Sequence, residues 1–150
     1  MGKYTQYKEE FVDKAIENHL KIAVEELSKI SSIISIIIFG GFGRAEGGVK
    51  IQGKKVTPVN DYDLYVITTK HISEELLNNI AKKIEKRVGV GGYSLYEHSK
   101  KEFYFDIKPL LINELKNLPC IIKYYELKNA SYIMYGKDYR NLMPDFKKEN

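Results

Sequence analysis

Two neighbouring stretches decide the fold of this chain: residues 33–44 have the sequence IISIIIFGGFGR, and residues 60–68 have the sequence NDYDLYVIT. The first begins with a β-branched apolar run of strand length, bounded by Ser32 and Gly40, which is typical of a strand covered on both faces. The second contains a strand at 61–68 whose two faces are both mostly apolar. The pattern predicts two buried strands, of which 33–39 is central and ends in a glycine-rich turn.

The turn at 40–48 contains five glycines in nine residues, together with Arg44 and Glu46. Glycine permits a sharp turn and a close approach of the backbone to a ligand. The sequence lacks the Gly-Lys-Ser/Thr of a P-loop, and Glu46 stands where a dinucleotide fingerprint needs its third glycine. A tight turn without a ligand would explain one or two glycines but not five, so we expect a close approach here.

Three aspartates interrupt apolar strands. Asp61 and Asp63 project from one strand face, about 7 Å apart along the backbone, and Asp106 lies in the aromatic strand 103–108. Carboxylates in such surroundings are costly unless a cation compensates them, and Mg²⁺ prefers oxygen ligands. If the two strands pair, three carboxylates next to the turn form the set needed for two-metal phosphoryl or nucleotidyl transfer. The alternative is that 60–61 is a turn and Asp63 faces water.

Apolar periodicity and cap residues predict the other elements. Before the aspartate strands they are an amphipathic helix over 7–29, and between the two stretches a small exposed hairpin over 49–60. A helix capped by Ser73 and ended by Gly89 follows, and then two antiparallel strands at 93–98 and 103–108, the second ended by Pro109. The last elements are a helix over 120–128, with Pro119 in its first turn, and a short strand over 132–135 stopped by Gly136. No repeat or linker divides the chain, so residues 1–150 are expected to form a single domain.

Composition excludes several classes of protein. The 150 residues are 43% hydrophobic, which is enough to form a core without disulfides. Their net charge of +4 gives only weak support for nucleic-acid binding. The single cysteine, Cys120, excludes an intrachain disulfide, and His19, His71 and His98 lack metal-ligand spacing. A charged N-terminal segment and short apolar runs exclude a signal peptide and a membrane span, so we expect a cytoplasmic protein.

The order of these residues resembles the DNA polymerase β-like nucleotidyltransferase superfamily. Its motif is an apolar strand, Gly-Gly or Gly-Ser, a spacer and Asp-apolar-Asp, followed by a third acid on a later strand. Here Gly40-Gly41, Asp61-Tyr62-Asp63 and Asp106 match it, and the resemblance covers residues 33–109. It implies an α/β (α+β) fold with a mixed sheet of four to five strands flanked by helices, in which the hairpin at 49–60 is an insertion.

The resemblance also implies a site and its ligands. ATP or another nucleoside triphosphate would be the substrate, and Mg²⁺ or Mn²⁺ the cofactor. The catalytic residues and metal ligands would be Asp61, Asp63 and Asp106, the last also acting as base, and the nucleotide would be bound by Gly40, Gly41, Gly43 and Arg44. For Arg44, a surface ion pair with Glu46 is an equal alternative.

The implied activity is transfer of a nucleoside monophosphate, AMP from ATP first, to an acceptor hydroxyl on a protein or a small molecule. The short stretch after Asp106 is similar to that of minimal nucleotidyltransferases that work with a partner protein, including antitoxins that adenylylate a toxin. A homodimer, and a catalytic fragment of a longer chain, are alternatives. Another is a nucleotide-binding regulatory or antitoxin-like module with little turnover, and non-specific nucleic-acid binding is the weakest.

Overall fold

The computed structural model describes residues 1–89 and 104–146. Its strands are β1 (Ile33–Phe39), β2 (Val49–Gln52), β3 (Lys55–Pro58), β4 (Tyr62–Thr68), β5 (Phe105–Leu111) and β6 (Tyr132–Gly136). Its α-helices are α1 (Glu10–Leu27), α2 (Gly40–Gly43), α3 (Glu74–Val88) and α4 (Ile122–Asn129), with 3-10 turns at Ile112–Asn117 and Arg140–Leu142. The main sheet has the order β5-β4-β1-β6, and β2 and β3 form a separate hairpin.

The sheet is mixed, as expected. β1 runs antiparallel to both β4 and β6, whereas β4 and β5 are parallel. Ile36, Ile37 and Ile38 have no exposed surface, so β1 is covered on both faces and central, as the sequence predicts. The hairpin at 49–60 is also confirmed, since β2 and β3 pair from Val49 to Pro58.

Two apolar layers cover the sheet. On one face, side chains such as Ile36 and Leu64 pack against Ile16 of α1 and Leu77 of α3. On the other face, Tyr65 and its neighbours pack in a smaller cluster with α4 and the segment that follows β6. Within the described ranges, no helix is both long and apolar enough to cross a bilayer.

Helix ends follow the expected chemistry where side chains set them. The Ser73 hydroxyl accepts the Leu76 N–H at 3.1 Å, and α3 ends at Val88, followed by the cap residue Gly89, whose φ is 85°. Because glycine enters this left-handed region without strain, the predicted stop is confirmed. By contrast, α1 is shorter than predicted at both ends, since it begins at Glu10 and ends at Leu27.

The prediction that Pro109 ends its strand is wrong. Pro109 lies inside β5 opposite Val66, and the strand continues to Leu111. In the part of the chain that the structure describes, β5 is at the edge of the sheet, where no further strand needs the missing N–H of a proline. The predicted antiparallel partner at 93–98 lies outside the described residues.

Two predicted boundaries shift by one or two residues. The helix predicted over 120–128 begins at Ile122 instead, because Pro119 lies before it and accepts the Ile121 N–H at 3.0 Å in a turn. Asp61 precedes β4 rather than belonging to it, since the strand begins at Tyr62.

A buried glutamate fixes the start of β5. Glu85 on α3 is 3% exposed, and its Oε2 atom accepts the backbone N–H groups of Tyr104 at 2.8 Å and Phe105 at 3.2 Å. The Tyr104 carbonyl in turn accepts the Tyr62 N–H at 2.7 Å, at the start of β4. The Glu85 carboxylate therefore holds the alignment of β5 with β4 one residue before Asp106.

We expect Glu85→Ala to lower the free energy of unfolding by about 3 kcal/mol, because it leaves two buried donors without a charged acceptor. Glu75→Ala, on an exposed position of the same helix, is the control and should change stability by less than about 0.5 kcal/mol. Urea unfolding of both variants measures the difference. Equal stabilities would contradict the structural role of Glu85.

Candidate active site

Two of the three predicted acids lie side by side. In the parallel pairing of β4 and β5, Asp63 is directly opposite Asp106, so the two residues share a sheet face on strands about 4.8 Å apart. Both are half-buried. Asp61 lies two residues before Asp63, just outside the strand. We call Asp61, Asp63 and Asp106 the acid row.

The paired carboxylates suit a hard cation. Asp63 and Asp106 offer carboxylate oxygens from adjacent positions of a rigid sheet, and such oxygens are the ligands that Mg²⁺ prefers. Residues 1–89 and 104–146 contain no group of three His, Cys, Asp or Glu side chains placed to hold a metal ion. The structure thus brings two of the three predicted ligands together, and the metal-ligand role of the acid row stays a prediction.

Gly40 is required by the geometry of the site. Its φ is 71°, and a Cβ atom at this position would overlap Oδ2 of Asp63. Both facts favour glycine, because other residues are strained in the left-handed region and have a side chain that would displace the carboxylate. The turn therefore brings its backbone against one member of the acid row.

Gly41 and Gly43 differ from Gly40 because neither has a positive φ. A Cβ atom on Gly43 would lie 3.1 Å from the Ala130 carbonyl oxygen and 3.3 Å from that of Ile38, so close packing accounts for this glycine. At Gly41 the nearest atom would be the Glu46 carbonyl oxygen at 3.7 Å, an ordinary contact. Neither backbone conformation nor crowding accounts for the glycine at position 41.

Arg44 is held by carboxylates within the protein. Its Nη1 donates to Glu126 on α4 at 2.9 Å, and its Nε lies 3.9 Å from Glu46. The ion pair with Glu46 weighed from the sequence is thus present, but the closer partner is Glu126, 82 residues away along the chain. Phosphate binding by Arg44 stays a prediction. It would require the guanidinium to leave Glu126 for the phosphate, or to contact both at once.

Sequence reasoning missed two lysines beside the acid row. Lys108 Nζ lies 3.8 Å from Asp106 Oδ1 and 3.6 Å from Glu74 Oε1. Its position two residues after Asp106 on β5, and therefore on the same face, was a signal in the sequence. Lys123 reaches the same face from α4, and no local pattern could have indicated it.

Lys123 is held by aromatic rings. Its Nζ lies 5.7 Å from the centre of the Tyr65 ring and 5.0 Å from that of Tyr124. A hydrogen bond with Tyr65 is the main cause that raises the pKa of Lys123, and the charge of Asp106 contributes in the same direction while burial opposes it. The ammonium therefore stays charged near the acid row.

Tyr62, between two members of the acid row, anchors this segment from the opposite face of the sheet. Its ring is fully buried against Phe42 and Phe105, with ring centres 4.6 and 4.9 Å away. Its hydroxyl is 2.8 Å from Nδ1 of His19 on α1. Burial lowers the pKa of His19 and raises that of Tyr62, so both side chains are neutral at pH 7.

This buried histidine predicts a loss of stability in acid. Because the folded-state pKa of His19 is depressed, the unfolded chain binds a proton first as the pH falls below about 6.5. Stability should therefore decrease from that pH downwards, with a slope of at most about 1.4 kcal/mol per pH unit from this group. Below the folded-state pKa the loss becomes constant.

Thermal or urea unfolding between pH 7.5 and 5 measures this effect. His19→Gln should flatten the pH dependence, whereas His71→Gln, at an exposed position, should leave it as in the wild type. An identical pH slope in the wild type and His19→Gln would contradict the assignment.

Comparison with known proteins shows which solved structures have a similar fold. No protein-family model and no curated protein matches the chain. The structure of spectinomycin adenyltransferase AAD(9) from Enterococcus faecialis with ATP and spectinomycin has a TM-score of 0.53 and 15% identity to it. That match covers 91% of this chain and 61% of the adenyltransferase, so this chain spans less than two thirds of that protein.

A second similar structure is the tri-AMPylated HEPN toxin of Shewanella oneidensis in complex with MNT antitoxin, with a TM-score of 0.48 and 13% identity. It covers 82% of this chain and 73% of the other. The similarity to the adenyltransferase confirms the fold class: the chain has the nucleotidyltransferase fold, a mixed sheet flanked by helices.

Proposed function

We propose that this protein transfers a nucleoside monophosphate, with AMP from ATP as the first candidate, to an acceptor hydroxyl on a protein or a small molecule. The observation that carries this proposal is the pairing of Asp63 with Asp106 on adjacent parallel strands beside the glycine turn. The fold shared with an adenyltransferase whose structure contains ATP supports it.

The proposed reaction replaces one P–O bond at the α-phosphorus by another. The acceptor oxygen forms a bond to this phosphorus, the bond from it to the oxygen bridging to the β-phosphate breaks, and pyrophosphate leaves with that electron pair. Asp106, half-buried beside Asp63, would accept the proton of the acceptor hydroxyl. By accepting this proton, the Asp106 carboxylate would make the acceptor oxygen a stronger nucleophile.

The other residues of the site would bind and orient the nucleotide. Asp61, Asp63 and Asp106 would hold Mg²⁺ or Mn²⁺, which when bound neutralises phosphate charge. The backbone N–H groups at Gly40 and Gly41 would face the phosphates, and the absent side chain at Gly41 leaves the approach open. Arg44 would add a bidentate contact after exchange with Glu126.

The test is transfer of label from ATP. Purified protein is incubated with Mg²⁺, ATP labelled at the α-phosphate and a panel of acceptors, namely hydroxyl-bearing small molecules and the proteins of a cell extract. We expect label on an acceptor and an equal amount of pyrophosphate. Asp145→Asn removes a carboxylate from a side chain that is 99% exposed and outside the acid row, so this control should retain transfer.

Two results would count against the proposal. Binding of Mg-ATP without release of pyrophosphate, for every acceptor, would favour a regulatory module with the same fold. Binding of no nucleoside triphosphate at all would contradict a nucleotide site at the acid row.

A further inference from the structure

Lys123 differs in its surroundings from the other charged groups near the acid row. Lys108 lies between Asp106 and Glu74, and Arg44 lies between Glu46 and Glu126. Among the residues that the structure describes, no carboxylate oxygen lies within 4.0 Å of the Lys123 ammonium, which contacts tyrosines instead. Within residues 1–89 and 104–146, Lys123 is therefore a cation in contact with tyrosines rather than with a carboxylate.

The position of Lys123 is set by contact with a buried tyrosine. Tyr65 is 3% exposed, and its ring packs against Phe39 at 5.2 Å and Tyr124 at 6.1 Å between ring centres. Tyr65 follows Asp63 by two residues on β4 and pairs with Lys108, so it shares the face of the acid row. A rigid ring therefore holds the Lys123 ammonium one step along the sheet from the paired carboxylates.

A fixed ammonium beside paired carboxylates suits a ligand that carries both a metal ion and surplus negative charge. A polyphosphate chelated to a divalent cation has this character, since the cation meets the carboxylates while phosphate oxygens remain to be neutralised. Because an ammonium has three N–H donors, Lys123 can bond to Tyr65 and still donate to a phosphate oxygen.

We propose that Lys123, held by Tyr65 and Tyr124, is a phosphate-binding residue that contacts the polyphosphate chain of the nucleotide on the α4 side of the acid row. This inference rests on the proposed function for the identity of the ligand. Tyr65 is a positioning residue, because it acts through the ammonium that it orients.

The experiment measures binding by calorimetry, with Mg-ATP and with inorganic tripolyphosphate plus Mg²⁺ as probes. Lys123→Met should weaken both by about 10- to 100-fold, because it removes a charged hydrogen bond to phosphate. Lys123→Arg should retain most of the affinity, and Tyr65→Phe, which keeps the ring, should weaken binding by about threefold to tenfold. AMP should be affected much less, because it lacks the β- and γ-phosphates.

Lys137→Met is the matched control. Lys137 also lies over an aromatic ring, that of Tyr139 at 5.8 Å, but it follows β6 at the end of the sheet opposite the acid row. The affinity of Lys137→Met for both probes should equal that of the wild type. Since Lys123 and Lys137 are both exposed, each variant should melt within about 2 °C of the wild type.

The failures of the two proposals can be distinguished. If the wild type binds both probes and Lys123→Met binds tripolyphosphate within twofold of the wild type, the phosphate contact is refuted while nucleotidyl transfer stands. If Lys123→Met weakens both probes as expected but the wild type transfers no label, the phosphate contact stands and the proposed reaction is refuted. Equal weakening by Lys137→Met would also overturn the assignment to Lys123.

Discussion

Asp63→Asn should abolish nucleotidyl transfer, with a fall in kcat/KM of about a thousandfold or more. Asp63 is opposite Asp106 in the strand pairing and against Gly40 in the turn, so it joins the predicted metal ligands to the predicted phosphate turn. An asparagine keeps the shape but removes the charge that would hold a divalent cation. The free energy of unfolding should stay within about 1 kcal/mol or rise slightly, since repulsion between the two carboxylates is relieved.

The labelled-ATP assay and urea unfolding together measure this result. Asp145→Asn is the control for loss of a carboxylate outside the site. Retention of more than a tenth of the wild-type rate by a folded Asp63→Asn protein would show that the acid row is not the catalytic centre.

Gly40→Ala should both destabilise the protein and reduce transfer, whereas Gly41→Ser should do neither. At Gly40 an alanine enters the left-handed region, at a cost of about 1–2 kcal/mol, and its methyl group would displace the Asp63 carboxylate. At Gly41 a small side chain has room, and the serine hydroxyl can add a phosphate contact. Gly41→Val should raise KM for nucleotide with little loss of stability, because its bulk narrows the approach of the phosphates.

Gly53→Ala separates the effect of backbone strain from the effect of contact with Asp63 in Gly40→Ala. Gly53 also has a positive φ of 63°, but a Cβ atom there would meet nothing within 4 Å in the hairpin turn. This control should lose stability through the same backbone strain and leave kcat and KM unchanged in the folded protein. Thermal melts and steady-state kinetics test all four variants, and equal kinetic losses in Gly40→Ala and Gly53→Ala would remove the argument for contact with Asp63.

The local part of the site could be predicted from the sequence, because it depends on patterns within single strands. Alternation places Asp63 on one face of β4, and the lone acid in an aromatic strand marks Asp106. Their pairing needed only the further expectation that the two strands are neighbours, and the structure makes them so.

The rest depends on tertiary contacts that no window of sequence contains. Glu126 reaches Arg44 and Lys123 reaches Tyr65 only because α4 returns to the sheet after β5. Likewise, the prediction that Pro109 ends a strand followed local preference, whereas its position at a described edge of the sheet makes proline acceptable there. Long-range packing therefore decides the charges around the acid row.

The two hydrogen bonds that Glu85 accepts at the start of β5 make the site sensitive to an insertion immediately after Phe105. Side chains alternate between the two faces of a strand, so a shift of β5 by one residue against β4 would turn Asp106 towards the face covered by α1 and α3. Because the Glu85 carboxylate holds the N–H groups of Tyr104 and Phe105, the start of the strand cannot slide to compensate for one residue inserted between Phe105 and Asp106. Such an insertion would therefore remove the acid from the patch in a single step.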